Sequence, residues 1–116
     1  MSEAINTALS ALRATLREQD VTANNIANVN THDFKKSKAA FEEISPSGVK
    51  VTISRPETPA APLPADEVIG EGHEMSNVSL EEELVDLITT RHLFTANIKT
   101  IQTEDEMQGA LLDIVA

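Results

Sequence analysis

Apolar residues near the N-terminus recur in alternating steps of four and three, from Ile5 to Ile26. This spacing places them on one face of a helix, as in the a/d seam of a coiled coil. One position is polar, and a single polar seam residue often sets register or partner choice. The pattern predicts a helix over residues 2–29 with an assembly seam of Ile5, Leu9, Leu12, Leu16, Gln19, Ala23 and Ile26.

Asparagine becomes frequent where this helix is expected to end. Asn24, Asn25, Asn28 and Asn30 lie within seven positions, and asparagine side chains compete for backbone hydrogen bonds. We therefore expect the helix to end between Asn28 and Thr31. Residues 31–43 contain a small lysine cluster and fit either a helix or an extended loop, and residues 1–43 form the first predicted segment.

The middle of the chain, residues 44–75, holds all five prolines, which exclude a continuous helix. Apolar and polar residues alternate from Val49 to Ser54, which predicts one short strand at about residues 49–53. The stretch from Pro56 to Pro64 has the composition of an extended linker in the polyproline II conformation. This segment is predicted to be a linker with an irregular or β-like character.

The third segment, residues 76–116, again has helical spacing. Ser79 with Glu82 three residues later is a capping-box pattern at its start. From Asp105 onward the apolar stripe shifts by one position to Met107, Leu111 and Ile114, as a straight helix does against a heptad repeat. The predicted seam of this long helix is Leu80, Leu84, Leu87, Arg91, Phe94, Ile98, Ile101 and Leu112.

These segments predict an all-α fold, an elongated antiparallel coiled-coil-like pair of N- and C-terminal helices joined by a short proline-rich middle. Neither helix is expected to be stable alone, because isolated helices gain most of their stability from packing. The partner of each seam is the other helix, a neighbouring subunit, or both. Arg91 either extends to the edge of the seam or pairs with an acid across an interface. Asp105 either faces solvent or specifies register in an assembly.

Composition narrows the possible functions. The formal net charge of −10 and three aromatic residues argue against a nucleic-acid binder. All ten net negative charges lie in residues 51–116, because residues 1–50 hold six acids and six bases. The chain has no cysteine and no apolar run long enough to span a membrane, and its first residues lack the features of a cleavable signal. We expect no metal site, cofactor or catalytic group, since the three histidines are far apart in sequence.

Several strings resemble the flagellar basal-body rod and hook proteins of bacteria. Residues 23–31 followed by Phe34-Lys35 are similar to the family's N-terminal signature, and residues 76–78 are similar to the start of its C-terminal helix. Residues 103–107 are similar to its closing motif. Asp33 stands where the family usually carries glycine, tyrosine is absent, and the middle is as short as in proximal-rod members. The residues carrying the resemblance are Asn24, Asn25, Asn28, Asn30, Phe34, Lys35, Ser76, Asn77, Val78, Asn97, Asp105 and Met107.

The resemblance implies a structural subunit rather than an enzyme. Such a subunit would assemble with copies of itself and with other rod subunits through its terminal helices, and it would transmit torque in the periplasmic rod of the basal body. The flagellar export apparatus would transport it without a cleaved signal peptide. The alternatives from other classes are a soluble helical-hairpin adaptor or export chaperone and, on the evidence of paired acids alone, an acidic hydrolase.

Overall fold

The computed structural model describes residues 3–62 and 73–115. Helix α1 spans Glu3–Ala27, strands β1 and β2 span Lys38–Glu43 and Val49–Ser54, and helix α2 spans Leu80–Val115. The predicted proline-rich linker is thus described only in part, because its residues 63–72 lie outside the described residues. Within the described part, Pro62 and Glu74 form an isolated antiparallel bridge, which joins the two sides of the gap.

The two helices form an elongated antiparallel pair. Asn25, near the C-terminal end of α1, contacts Glu83 in the first turn of α2, and Gln19, earlier on α1, lines the same groove as Phe94, further along α2. The two helices therefore run in opposite directions. The molecule measures 76 × 24 × 14 Å, so its length is about three times its next dimension. Helix α2 has 36 residues and α1 has 25, and every position from 105 to 115 is exposed. We call residues 105–115 the α2 extension, because they contain no half-buried position and lie past the part of α2 that packs on the chain.

The predicted all-α fold class is wrong, because β1 and β2 form a two-stranded antiparallel sheet. Their register pairs Lys38 with Ser54, Phe41 with Val51 and Glu43 with Val49. Val49, Val51 and Ile53 carry the alternation that predicted a single short strand, but a strand needs a hydrogen-bonded neighbour. Residues 38–43 supply that neighbour, although lysine, alanine and glutamate favour helix over strand.

The sheet lies against α1, and the turn between the strands is hydrogen-bonded to that helix. Ser10 Oγ accepts a 3.0 Å hydrogen bond from Val49 N and donates one of 2.7 Å to Thr7 O. Gly48 precedes Val49 with φ at 113°, a conformation that other residues rarely adopt. A Cβ atom on Gly48 would lie 3.1 Å from Ser10 Oγ. Glycine at position 48 therefore allows both the turn and its close approach to α1.

The Gly48→Ala substitution is expected to lower the free energy of unfolding by about 1–3 kcal/mol, because it strains the backbone and crowds Ser10. The matched control is Gly109→Ala, at a helical position with open space around it. This control is expected to raise stability by about 0.5–1 kcal/mol. Urea denaturation followed by circular dichroism measures both changes. Equal effects of the two substitutions would contradict the role given to Gly48.

Candidate functional site

The side-chain amide of Asn25 joins three elements of the chain. Asn25 is 1% exposed, its Nδ2 donates 2.8 Å to Ser37 O, and its Oδ1 accepts 3.0 Å from Ser37 N. The same Nδ2 donates 3.2 Å to Glu83 Oε1. One buried amide thereby holds the segment before β1 against α1 and ties α1 to α2. Buried polar groups left without partners are costly, so this arrangement favours one packing of the two helices.

Asp33 joins the turn after α1 to the segment before α2. Its φ of 61° is left-handed, a region in which residues other than glycine are uncommon and aspartate is enriched. Asp33 N donates 2.8 Å to Glu74 O, and Asp33 Oδ1 accepts 2.8 Å from Glu74 N. Asp33 Oδ2 also pairs with His73 Nδ1. The carboxylate at this position therefore provides contacts that a glycine could not make.

Lys35 and Asn77 extend this set of contacts along the same two segments. Lys35 Nζ forms a 2.6 Å ion pair with Glu74 Oε2 and donates 3.2 Å to Thr58 O. Asn77 Oδ1 accepts 2.6 Å from Lys36 N, and Asn77 Nδ2 donates 3.1 Å to Thr58 O. We define the polar junction as the residues joined by these hydrogen bonds and ion pairs, namely Asn25, Asp33, Lys35, Lys36, Ser37, Thr58, His73, Glu74, Asn77 and Glu83.

The surroundings of the polar junction shift the pKa values of its carboxyl groups in opposite directions. The pKa of Asp33 is lowered, first by the hydrogen bond from Glu74 N and then by that from His73. The pKa of Glu74 is lowered, first by the hydrogen bond from Lys35 and then by that from Ala60 N. Burial raises the pKa of Glu83, and the hydrogen bond from Asn25 offsets part of that effect. Asp33 and Glu74 therefore stabilise the fold when ionised, and their contribution is lost as pH falls through their lowered pKa values.

The Glu83→Gln substitution is expected to raise the free energy of unfolding at pH 7. A carboxyl whose pKa is raised by folding destabilises the fold when ionised, and this penalty vanishes below its unfolded pKa. Glutamine keeps the oxygen that accepts from Asn25 and removes the charge. The higher free energy of unfolding of the variant relative to wild type should therefore disappear as pH falls towards about 4. Denaturation at both pH values tests this, and an advantage that is equal at pH 7 and pH 4 would contradict it.

The matched control for that measurement is Glu82→Gln, on the adjacent residue. Glu82 is exposed and pairs with Lys36 Nζ at 3.3 Å. Removing its charge is expected to change stability by less than about 0.5 kcal/mol, as for other surface ion pairs. A stabilisation by Glu82→Gln equal to that by Glu83→Gln would show that the effect comes from general charge reduction rather than from burial of Glu83.

Small and polar residues form most of the buried stripe between the helices. Ala8, Thr15 and Thr22 are buried at intervals of seven on α1, and Glu83 and Thr90 are buried at the same interval on α2. This stripe is displaced by one position from the predicted seam of α1. Large apolar residues such as Leu16, which is 50% exposed, consequently face outward.

The structure divides the predicted seam residues into two groups. Within this single chain, the half-buried ones are Ile5, Leu9, Leu12, Ile26, Leu87, Phe94, Ile98 and Ile101. The exposed ones are Leu16, Gln19, Ala23, Leu80, Leu84, Arg91 and Leu112. The role of these residues in assembly stays a prediction.

The residues that carried the family resemblance are only partly brought together. Asn25, Lys35 and Asn77 meet in the polar junction, and the Phe34 ring lies beside it with the Arg55 guanidinium 5.9 Å from its centroid. Other members make local contacts: Asn28 Nδ2 donates 2.9 Å to Asn24 O. The remaining members lie near these segments or farther along α2 and do not join the network, namely Asn30, Ser76, Val78, Asn97, Asp105 and Met107.

Sequence reasoning missed several residues of the site. Ser10 Oγ accepts a hydrogen bond from the distant Val49 N, whereas Ser37 and Thr58 contribute their own backbone groups to distant side chains. The sequence around these three residues gives no signal of such contacts. Glu83 directly follows Glu82 of the capping-box pattern, and nothing in the sequence indicates that it is buried. A signal did exist for Asn25, because it continues the line of Ala8, Thr15 and Thr22 on one face of α1.

Large apolar side chains cover the outward surface of α2. Leu84, Val85 and Ile88 are exposed near its start, and Ile88 is 58% exposed. On the α2 extension, Met107, Leu111, Leu112, Ile114 and Val115 are 57–81% exposed. Soluble monomers rarely expose contiguous apolar patches of this kind, and such patches mark interaction surfaces. We call these exposed apolar residues of α2 the outward apolar surface, and they are the second component of the candidate site.

A groove of about 290 Å³ lies beside the contact between the two helices. The Thr90 side chain lines it and is 4% exposed, yet Thr90 Oγ1 has no hydrogen-bond partner among the described residues. Arg91 is exposed at the same groove and forms no ion pair within the described residues. The six residues that line this groove are Gln19, Leu87, Ile88, Thr90, Arg91 and Phe94.

The Thr90→Val substitution is expected to raise the free energy of unfolding of the single chain by about 1 kcal/mol, since it replaces an unpaired buried hydroxyl by a methyl group of the same shape. The matched control is Thr89→Val, because Thr89 is exposed and its Oγ1 donates 3.0 Å to Val85 O. We expect that control to change stability by less than about 0.5 kcal/mol. Thermal and urea denaturation measure both, and a destabilised Thr90→Val variant would indicate that the hydroxyl has a partner.

Two further kinds of site, metal centres and membrane-spanning helices, are absent from the described residues. Among residues 3–62 and 73–115, no cluster of three or more histidine, aspartate or glutamate side chains is arranged to hold a metal ion. Neither described helix combines the length and the apolar run that crossing a bilayer requires.

Comparison with protein families finds two matches that together cover most of the chain. Residues 5–35 match the model described as "Flagella basal body rod protein". Residues 73–114 match the model described as "Flagellar basal body rod FlgEFG protein C-terminal". A comparison with the curated proteins finds no match. The two matched regions contain nearly all of α1 with its following turn and nearly all of α2, and they meet at the polar junction.

Proposed function

Because the chain belongs to the flagellar basal-body rod family, we propose that it is a structural subunit of the proximal rod that assembles through its terminal helices. Membership in this family makes it a structural protein of the basal body. The proposal goes beyond family membership in three points, namely the proximal position in the rod, the use of both helices in assembly and the transmission of torque. The short segment between the helices supports the proximal position, since it holds a two-stranded sheet and no large inserted domain in its described part.

One observation carries this proposal, namely that the fully buried residues of the described chain are small or polar, whereas many of its large apolar residues stay exposed. Leu16 on α1 and Ile88 on α2 are at least half exposed, and the α2 extension is exposed throughout. Burying a side chain of this size contributes about 1.5–3 kcal/mol. A subunit that buries many such residues against neighbours gains enough stability to form a stiff assembly.

The polar junction has a defined task in this proposal. Torque passes through a rod only if each subunit transmits force without changing shape. Asn25 and Asp33 tie the ends of both helices to the connecting segments through short hydrogen bonds. The ion pair between Lys35 and Glu74 adds a further constraint between those segments. The junction thus holds the two assembly helices in one relative orientation.

Export is the further part of the proposal. We infer that the flagellar export apparatus carries the chain to the growing rod, as the family resemblance implies. The absence of cysteine is compatible with a final location in the oxidising periplasm. The expected partners are copies of this chain, other rod subunits and, during transport, the export apparatus.

Fractionation of cells that produce an epitope-tagged chain tests the proposal. The tagged chain should complement motility in a strain lacking the native gene and should co-purify with isolated basal bodies after detergent and salt washes. An adaptor or export chaperone would instead be recovered in a stoichiometric cytosolic complex with an export substrate. Recovery only in that complex, with none in washed basal bodies, would overturn the rod proposal.

A further inference from the structure

We propose that the groove beside Thr90 receives the α2 extension of a second copy of this chain, so that copies join head to tail. This inference rests on the proposed rod function and names the surfaces through which like subunits meet. The groove has about 290 Å³ of space, roughly ten times the volume of about 30 Å³ that one water molecule occupies in the liquid. It is therefore large enough for side chains from another molecule.

The groove combines one unpaired charge with apolar surface. The exposed Arg91 at the groove has no anionic partner within the described residues. Leu87 and Phe94, both half-buried, and the exposed Ile88 supply apolar surface beside the Arg91 guanidinium. The groove thus suits an apolar segment that also carries negative charge.

The α2 extension has the complementary chemistry. Met107, Leu111 and Ile114 follow each other at steps of four and three, so they lie on one helical face. All three are more than half exposed. Glu106 and Asp113, seven residues apart, lie on the same side of the helix, about a third of a turn from that face, and Asp105 adds negative charge at the start of the extension. A carboxylate of the extension can pair with Arg91 while the apolar face fills the groove.

The extension cannot reach the groove of its own chain. Leu111 and Ile88 lie on the same continuous helix, about 35 Å apart along its axis. The occupant must therefore come from another molecule, and the extension and groove lie at different positions along one elongated subunit. A contact between two different surfaces of identical subunits repeats from copy to copy, and it produces a filament when the rotation between copies does not close into a ring. That geometry is what a rod built from repeated subunits requires.

Disulfide cross-linking tests this contact directly, because the chain has no cysteine of its own. The double variant Ile88→Cys with Leu111→Cys places one thiol at the groove and one on the extension. Within one chain the two thiols are too far apart to bond, since a disulfide needs Cα atoms within about 7 Å. Mild oxidation of the concentrated chain should therefore give a ladder of dimers, trimers and longer products on a non-reducing gel.

The matched control pair is Lys99→Cys with Leu111→Cys, since Lys99 is exposed on the same helix and does not line the groove. We expect the groove pair to cross-link at least about tenfold faster than this control, because docking raises the effective concentration of the two thiols. Equal rates for the two pairs would overturn the inference. Equally fast dimerisation of the single variant Leu111→Cys would also overturn it, by showing that extensions pair with each other.

The Arg91→Glu substitution provides a second readout in the same cross-linking background. Reversing the charge at the groove should slow ladder formation at least about fivefold at low salt, with helix content unchanged by circular dichroism. Cross-linking uses the purified chain, whereas the proposed function is tested on basal bodies. A tagged chain that is present in basal bodies but fails to form the ladder would overturn this contact and leave the rod function in place.

Discussion

Replacing Asn25 by aspartate is expected to lower the free energy of unfolding by about 3 kcal/mol at pH 7, the cost of losing a buried donor and placing a second carboxylate beside Glu83. The substitution keeps the shape of the side chain, so packing is unchanged. The hydrogen bonds from Asn25 Nδ2 to Ser37 O and Glu83 Oε1 are lost. Urea denaturation measures the change, and stability should partly return as pH falls and the carboxyl groups protonate.

Two further variants make the test of Asn25 specific. Asn24→Asp is the matched control, because Asn24 is exposed and adjacent, and it should cost less than about 0.5 kcal/mol. Adding Glu83→Gln to Asn25→Asp restores a donor facing the new carboxylate and should recover at least about 1 kcal/mol. If Asn25→Asp is as mild as the control, Asn25 does not hold the elements together as the structure indicates.

Replacing Leu112 by aspartate is expected to abolish incorporation into the rod while leaving the single chain folded. Leu112 is 68% exposed on the α2 extension, so the free energy of unfolding should change by less than about 0.5 kcal/mol. Burial of an unpaired carboxylate at a subunit contact costs about 3 kcal/mol or more, which weakens association at least about a hundredfold. Swimming assays and the recovery of the chain in washed basal bodies measure the loss.

The control for that prediction is Thr103→Asp, which adds the same charge at an exposed polar position of α2. It should leave both motility and recovery close to wild type. If Leu112→Asp cells swim as well as Thr103→Asp cells, the α2 extension is not buried in the rod. If Leu112→Asp unfolds the chain in solution, the extension contributes to the fold of the single subunit, contrary to its exposure.

The sequence predicts the two helices well, because their apolar spacing and the residues at their ends act locally. It predicts the sheet poorly. Lys38–Glu43 contains mostly helix-favouring residues, and its strand conformation depends on pairing with Val49–Ser54. The single-strand prediction for residues 49–53 could not identify that partner, since residues 31–43 fitted a helix as well as an extended loop.

The buried face of the helices was harder to predict than their extent. Leu16 and Thr15 are neighbours, and hydrophobicity favours Leu16 as the buried one, yet Thr15 is 1% exposed. In a single domain the larger apolar residue would normally face the core. Here small residues allow α1 to lie close to both α2 and the hairpin. The hydrophobic pattern of a sequence does not distinguish residues that are buried within one chain from residues that are buried against neighbouring chains.

The central claim is that the outward apolar surface becomes buried when the subunit enters the rod. Thiol labelling tests it most directly, because Ile88→Cys and Leu112→Cys each create the sole thiol of the chain. Labelling rates should be fast in the purified chain and at least about tenfold slower in intact basal bodies, with fast labelling restored after the basal bodies are dissociated. Equal rates at both positions in the free chain and in basal bodies would contradict the account.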